Sequence, residues 1–233
     1  MKIEHTILGN DMQAVEIEMQ PGQEIVAEAS TLLMMEDGIT FDAKIGDGTS
    51  SGSGVMSALG RAVTGSGVFL THFSNTASVT RKLSFTANNP GRIVPVHLPD
   101  WGGTINVEHS GFLCATKGTH LNAKRAKRIR AGIFGGSGFF LQTIQGDGMA
   151  FLHCCGSIIE RELNDEVIRC EPGAVVAFDP SIEFSIERAG NLKTMLFGGD
   201  GVFLATLRGT GKVILQSLPW GRVVSHIVAN TKK

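Results

Sequence analysis

A short motif that recurs three times constrains this chain more than any other feature. Ser66-Gly67-Val68-Phe69-Leu70, Ser137-Gly138-Phe139-Phe140-Leu141 and Asp200-Gly201-Val202-Phe203-Leu204 each set a small or acidic residue and a glycine before an apolar run. Upstream of each copy a Pro-Gly pair leads into another apolar run: Pro21-Gly22 with Ile25-Val26, Pro90-Gly91 with Ile93-Val94, Pro172-Gly173 with Val175-Val176. After the second and third copies come Gln145-Gly146-Asp147-Gly148 and Arg208-Gly209-Thr210-Gly211, where the first copy has Ser74-Asn75-Thr76-Ala77. A single unit of this kind leaves an apolar face uncovered, so three in one chain predict units that cover one another. The expected arrangement is pseudo-threefold, with repeats at approximately 12–85, 86–160 and 161–228 inside one domain spanning 1–233. Gly67, Gly138 and Gly201 are then structural glycines, placed where a Cβ would strain the turn or meet another backbone.

The hydropathy period is mostly two. Val15-Glu16-Ile17-Glu18-Met19, Ile105-Asn106-Val107-Glu108 and Phe184-Ser185-Ile186-Glu187 alternate, which predicts strands with one face inward. Val175-Val176-Ala177-Phe178 and Val213-Ile214-Leu215 are continuously apolar and predict strands buried on both faces. Glycine, proline, asparagine and aspartate punctuate these runs, so the fold class expected is all-β, a sandwich or barrel. Helix is expected in two short pieces: Val55–Val63, with Val55, Leu59 and Val63 on one face, and the tail beyond Pro219.

Charge and cysteine usage bound the setting. With 21 Lys and Arg against 22 Asp and Glu, the 233-residue chain has no global basicity that points to nucleic acid. Met1-Lys2-Ile3-Glu4-His5 opens without an apolar core behind it, and Ala131–Ile144 is interrupted by four glycines, so neither a secretory signal nor a spanning segment is expected. Cys114, Cys154, Cys155 and Cys170 form no C-x-x-C pair and predict reduced, buried thiols in a cytoplasmic protein.

Several ordered elements together resemble the AIM24 family, formerly a domain of unknown function. They are Pro21-Gly22-Gln23 with Ala27-Glu28, the glycine-rich Ile45–Gly65, Phe112-Leu113-Cys114-Ala115, Gly135 to Leu141, Phe197 to Phe203, and Leu215 to Trp220. The resemblance implies a self-associating β fold like that of the tryptophan RNA-binding attenuation proteins. It implies little chemistry: a fungal relative is tied to mitochondrial organisation, and bacterial members have no established activity. The family usually has Gly-Glu-Gly before the Phe-rich strand, whereas this chain carries Ser66, Ser137 and Asp200 at the middle position. Serine and aspartate share a turn-capping role with glutamate but not a catalytic one, which argues against an active site at the repeats.

Other candidates each have a plain structural reading. Gly48-Thr49-Ser50-Ser51-Gly52 fits G-x-S-x-G, but a nucleophile elbow needs a parallel α/β sheet that the pattern lacks. Gly209-Thr210-Gly211-Lys212 lacks phosphate-loop spacing and reads as a hairpin turn. The seven histidines include no H-x-H pair; His153 and Cys155 share a strand face, an arrangement open to a metal but more simply a packed strand. No catalytic residue, metal or cofactor is expected.

Lys124-Arg125-Ala126-Lys127-Arg128-Ile129-Arg130 concentrates charge without interleaved aromatics. Lys124, Arg125, Lys127, Arg128 and Arg130, with Val55, Leu59 and Arg61, are the expected interaction surface. Thirteen Phe and no Tyr suit dry interfaces, so a homo-oligomer, a trimer or a pseudo-sixfold ring, is expected. The leading functional expectation is a non-enzymatic scaffold or interaction protein with an unidentified protein partner. An RNA-binding or single-stranded nucleic-acid-binding ring is the alternative, an anionic membrane surface a further partner class, and a metal- or small-molecule-dependent enzyme the least supported.

Overall fold

The computed structural model describes residues 3–45, 69–123, 139–189 and 202–231. Seventeen strands appear there, arranged in three antiparallel sheets. The first sheet orders β1 (His5–Leu8), β2 (Ala14–Met19), β7 (Arg81–Thr86) and β4 (Leu32–Met35). The second runs β5 (Ile39–Ile45), β6 (Phe69–Asn75), β3 (Glu24–Glu28), β10 (Phe112–Thr116), β13 (Met149–Cys155) and β8 (Gly91–His97). The third runs β11 (His120–Ala123), β12 (Leu141–Gln145), β9 (Thr104–Glu108), β15 (Val175–Phe178), β17 (Val202–Gln216) and β14 (Ile158–Cys170), with β16 (Glu183–Ala189) also on β17. Helix α1 (Trp220–Thr231) follows.

The sheets stack, and alternation decides which side chain fills which gap. Val15, Ile17, Leu83 and Phe85 of the first sheet meet Ile25, Phe73, Leu113 and Phe151 of the second. The opposite face of the second sheet, through Val26, Leu70, Ala115 and Leu152, packs on Ile105, Val107, Ile144 and Val176 of the third. A third cluster, around Leu163, Phe178, Ala205 and Val213, lies where β16 and the first half of β17 join the third sheet. A middle sheet buried on both faces explains why β13 is buried at every residue. The alternation of Ile105–Glu108 overstated exposure: Asn106 is buried and accepts from the Thr143 hydroxyl at 3.2 Å.

Residue pairing repeats across the stack. Pro95, Phe151, Cys114, Ala27 and Thr71 form one cross-strand row in the second sheet. Glu160, Ile214, Ala177, Val107 and Gln142 form the corresponding row in the third. In the first sheet Glu16, Ser84 and Met34 begin the same row and stop. Each of β4, β10 and β15 carries a register shift one residue before its row member, between Leu32 and Met34, Phe112 and Cys114, and Val175 and Ala177. The runs opened by the glycine motifs, β6, β12 and β17, take corresponding places, with Thr71, Gln142 and Ala205 directly after the motif leucine.

Two sequence expectations need correction. The three Pro-Gly pairs open non-equivalent strands, since Pro21-Gly22 precedes β3, Gly91 after Pro90 is the first residue of β8, and Pro172-Gly173 forms a 3-10 turn before β15. Gly209-Thr210-Gly211 is not a hairpin turn: β17 runs through it while staying paired to β14, Gly209 to Glu166 and Gly211 to Leu163. A bulge bends the ladder there, β14 carrying one extra residue: Asn164 and Asp165 face Thr210, with Asp165 at φ 56° and its N–H bonded to Thr210 Oγ1 at 3.0 Å. Gly209, at φ 128°, adopts a conformation that other residues avoid.

Candidate functional site

Two seams join halves of the sheets: β10 lies against β3, with Cys114 opposite Ala27, and β15 lies against β9, with Ala177 opposite Val107. Among the described residues β4, the counterpart of β10 and β15, ends its sheet with no such partner. The second half of β14, the counterpart of β3 and β9, likewise ends its sheet. The β4 edge is apolar, with Leu32, Leu33 and Met34 40%, 54% and 47% exposed, while the β14 edge exposes Val167 (42%) between Glu166 and Arg169. Exposed apolar edges of this kind are ready-made templates for further pairing.

An acidic residue closes each strand on the β3 side of a seam: Glu28, Glu108 and Glu171. Glu108 accepts from the Ser110 N–H at 3.0 Å, from the Ser110 hydroxyl, and from His109 Nδ1 at 2.9 Å. The bond to Glu108 raises the His109 pKa above its ordinary value against the opposing pull of burial, and Glu28 adds to the rise. Burial raises the Glu28 carboxyl, relieved in part by the His109 charge. At the free edge, Glu171 pairs instead with Arg222 of α1. Beside the first seam, His72 Nδ1 and Lys117 Nζ contact the two oxygens of Glu24 at 2.6 and 2.7 Å. Burial works against the charge on Glu24, but these bonds outweigh it and hold its pKa below the usual range.

A trough of about 740 Å³ opens along the outer edges of β8 and β14. Val94, Val96, Val213 and Ile214 floor it; Glu4, Asp100, Glu160 and Glu162 line it, together with the cationic Arg161 and Lys212. Lys212 Nζ stands 5.3 Å from the centre of the Trp101 ring and donates to the Asp100 carbonyl at 3.2 Å.

His153 and Cys155 do face one small recess, with Glu108 and Ser110 also on its wall. Among the described residues no three His, Cys, Asp or Glu side chains come together as a metal site. Burial lowers the His153 pKa, and its Nε2 has no hydrogen-bond partner. Burial and the Glu108 charge push the Cys155 thiol up to about 11, a poor thiolate ligand.

The expected interaction residues Lys124, Arg125, Lys127, Arg128 and Arg130, with Val55, Leu59 and Arg61, lie outside the described residues, as do Gly67, Gly138, Gly201 and the Gly48–Gly52 loop. The free seam edges went unread in the sequence. A signal for them existed: Ala27-Glu28, Val107-Glu108 and Cys170-Glu171 each precede, after three residues, a four-residue apolar run, Leu32–Met35, Phe112–Ala115 and Val175–Phe178. Among the described residues no helix is long and apolar enough to cross a membrane.

Comparison with known proteins gives a consistent picture. A family model described as "Mitochondrial biogenesis AIM24" matches residues 5–218. The uncharacterised protein M6_Spy0233 of Streptococcus pyogenes serotype M6 is 27% identical over 207 residues, covering 88% of this chain and 81% of that protein. The solved structure of protein SPYM3_0169 from Streptococcus pyogenes shares the fold with a TM-score of 0.76 at 22% identity, covering 98% of this chain and 99% of that one.

Proposed function

Since the chain belongs to the AIM24 family, whose streptococcal relative carries no assigned activity, we propose that it works as a non-enzymatic scaffold that assembles from copies of itself. One observation carries the reading: a seam made twice inside the chain is left unmade at both ends. β4 of one copy has the bulge and row position of β10 and β15, and the second half of β14 has the position of β3 and β9. Continuing the rows sets Met34 of one copy opposite Cys170 of the next, because Cys170 already pairs with Ala205 as Ala27 pairs with Thr71. Such a contact is head-to-tail, so it closes into a ring when the rotation per copy allows, and the notable closed form is a trimer. Pairing would cover Leu32, Leu33, Met34 and Val167 and satisfy two rows of backbone groups.

The test is mass and cross-linking. Sedimentation at micromolar concentration should give a closed multiple of the 24.8 kDa chain. A Met34→Cys variant should form a disulfide between copies under mild oxidation, lost on adding Cys170→Ser, because opposed residues in antiparallel strands fall within disulfide reach. Placing lysines at Leu32 and Met34 should give a folded monomer. A wild-type monomer at that concentration sinks the reading.

A further inference from the structure

We propose that the trough between β8 and β14 takes up an extended peptide with cationic side chains at alternate positions, added as a strand to the free edge of β14. In the first sheet the corresponding edge, that of β2, already carries an added strand: β1 pairs with it, with Thr6 opposite Glu16, and Glu18 N–H donates to the Glu4 carbonyl at 3.0 Å. Glu160 and Glu162 of β14 hold the row positions of Glu16 and Glu18, and among the described residues no strand pairs with that edge. Among the described residues the links beside these strands are too short to supply one, with only residues 156–157 between β13 and β14, and 87–90 between β7 and β8.

The neighbouring β8 edge is closed to the same addition. Pro95, exposed at the row position of Glu160, has no N–H to give, and the Ile93 N–H is taken by Gln13 Oε1 at 2.8 Å. Strand addition therefore falls on β14. Glu160 pairs with Ile214 and shares its face, turned toward Val94 and Val96 of β8, while Arg161 and Val213 take the opposite face. The side chains that an added strand sets opposite Glu160 and Glu162 would lay their stems over Val94 and Val96, with Glu4 and Asp100 nearby, in a trough whose four carboxylates exceed its two cations, Arg161 and Lys212. Cross-strand pairs of opposite charge favour Lys or Arg there, two residues apart.

The probe is a fluorescein-labelled (Val-Lys)4 peptide, followed by anisotropy on the full chain at low salt. Saturable micromolar binding is expected, weakened severalfold at 0.5 M salt, with (Val-Glu)4 inert. Glu160→Pro should reduce affinity at least tenfold while the protein folds normally, since β8 tolerates proline at the same row position. Should that variant misfold, Glu160→Gln with Glu162→Gln keeps the edge and should weaken (Val-Lys)4 binding severalfold. No saturable binding, equal binding of the acidic peptide, or full affinity in both variants overturns the proposal. So does a drop in assembly mass on Glu160→Pro, which would give the trough to a second copy. The seam edges lie elsewhere, on β4 and Val167–Cys170, so the Met34–Cys170 cross-link stands or falls separately.

Discussion

His109 donates from Nδ1 to its own neighbour, Glu108, at 2.9 Å, and Glu28 lies close enough across the first seam to feel the imidazolium charge. The seam is thereby tied to proton uptake.

A folded-state pKa raised above the unfolded value stabilises most below the unfolded value, and that gain is lost as pH rises through the folded one. His109→Gln should therefore cost most below pH 6.5 and least well above it. The side chain is 42% exposed, so the difference should stay under about 1 kcal/mol. Urea denaturation at pH 5.5 and 8.5 measures it, and an equal cost at both contradicts the assignment.

His153 should behave oppositely. Its pKa is lowered by burial, so the fold prefers the neutral ring, and stability drops as pH falls below 6.5 towards the lower folded value. The slope contributed is at most about 1.4 kcal/mol per pH unit. His153→Leu should flatten the acid side of the stability profile; an unchanged slope would exclude His153 as its source.

Gly91 sits opposite Cys155 where two strands press together. A Cβ built there would lie 2.1 Å from the Cys154 carbonyl oxygen and 2.6 Å from His153 Nε2. Gly91→Ala should destabilise by about 3 kcal/mol or more, since backbone cannot yield cheaply. Gly118 has a φ of 87° but open space around it, so Gly118→Ala should cost only about 1–2 kcal/mol. Chemical denaturation of both variants tests the ranking.

The thiols should be inert in the native protein. Burial pushes Cys154 up to about 12, and Cys155 and Cys170 to about 11, with Cys114 raised as well. A disulfide reagent at pH 8 should titrate less than one thiol per chain within minutes, then all four after unfolding. Rapid native labelling of Cys154 would refute its burial.

What the sequence disclosed and what it hid follow from the range of the forces involved. Alternation in Val15–Met19 and Phe184–Glu187 located strands correctly, because a side chain's face depends only on its near neighbours in the chain. The same rule misjudged Asn106, since burial on the second face is imposed by a distant sheet. Gly209-Thr210-Gly211 looked like a turn by composition; only the bulge at Asp165, more than forty residues away, shows that both strands carry on. The open edges were least legible of all. Leu32–Met35 reads like any buried strand, and its exposure becomes evident only when β10 and β15 are seen covered in the same place. The trough escaped for a like reason, being bounded by residues from five distant stretches of chain.

The shared kink of β14 and β17 reaches further than its own neighbourhood. Beyond it, β14, β17 and β16 make a three-stranded ribbon whose outer edge is the free half of β14. In an assembly built through that edge, whatever angle Asp165, Gly209 and Gly211 set there would be copied at every addition of a protomer. A few degrees at those residues would decide between a planar ring and a corkscrew.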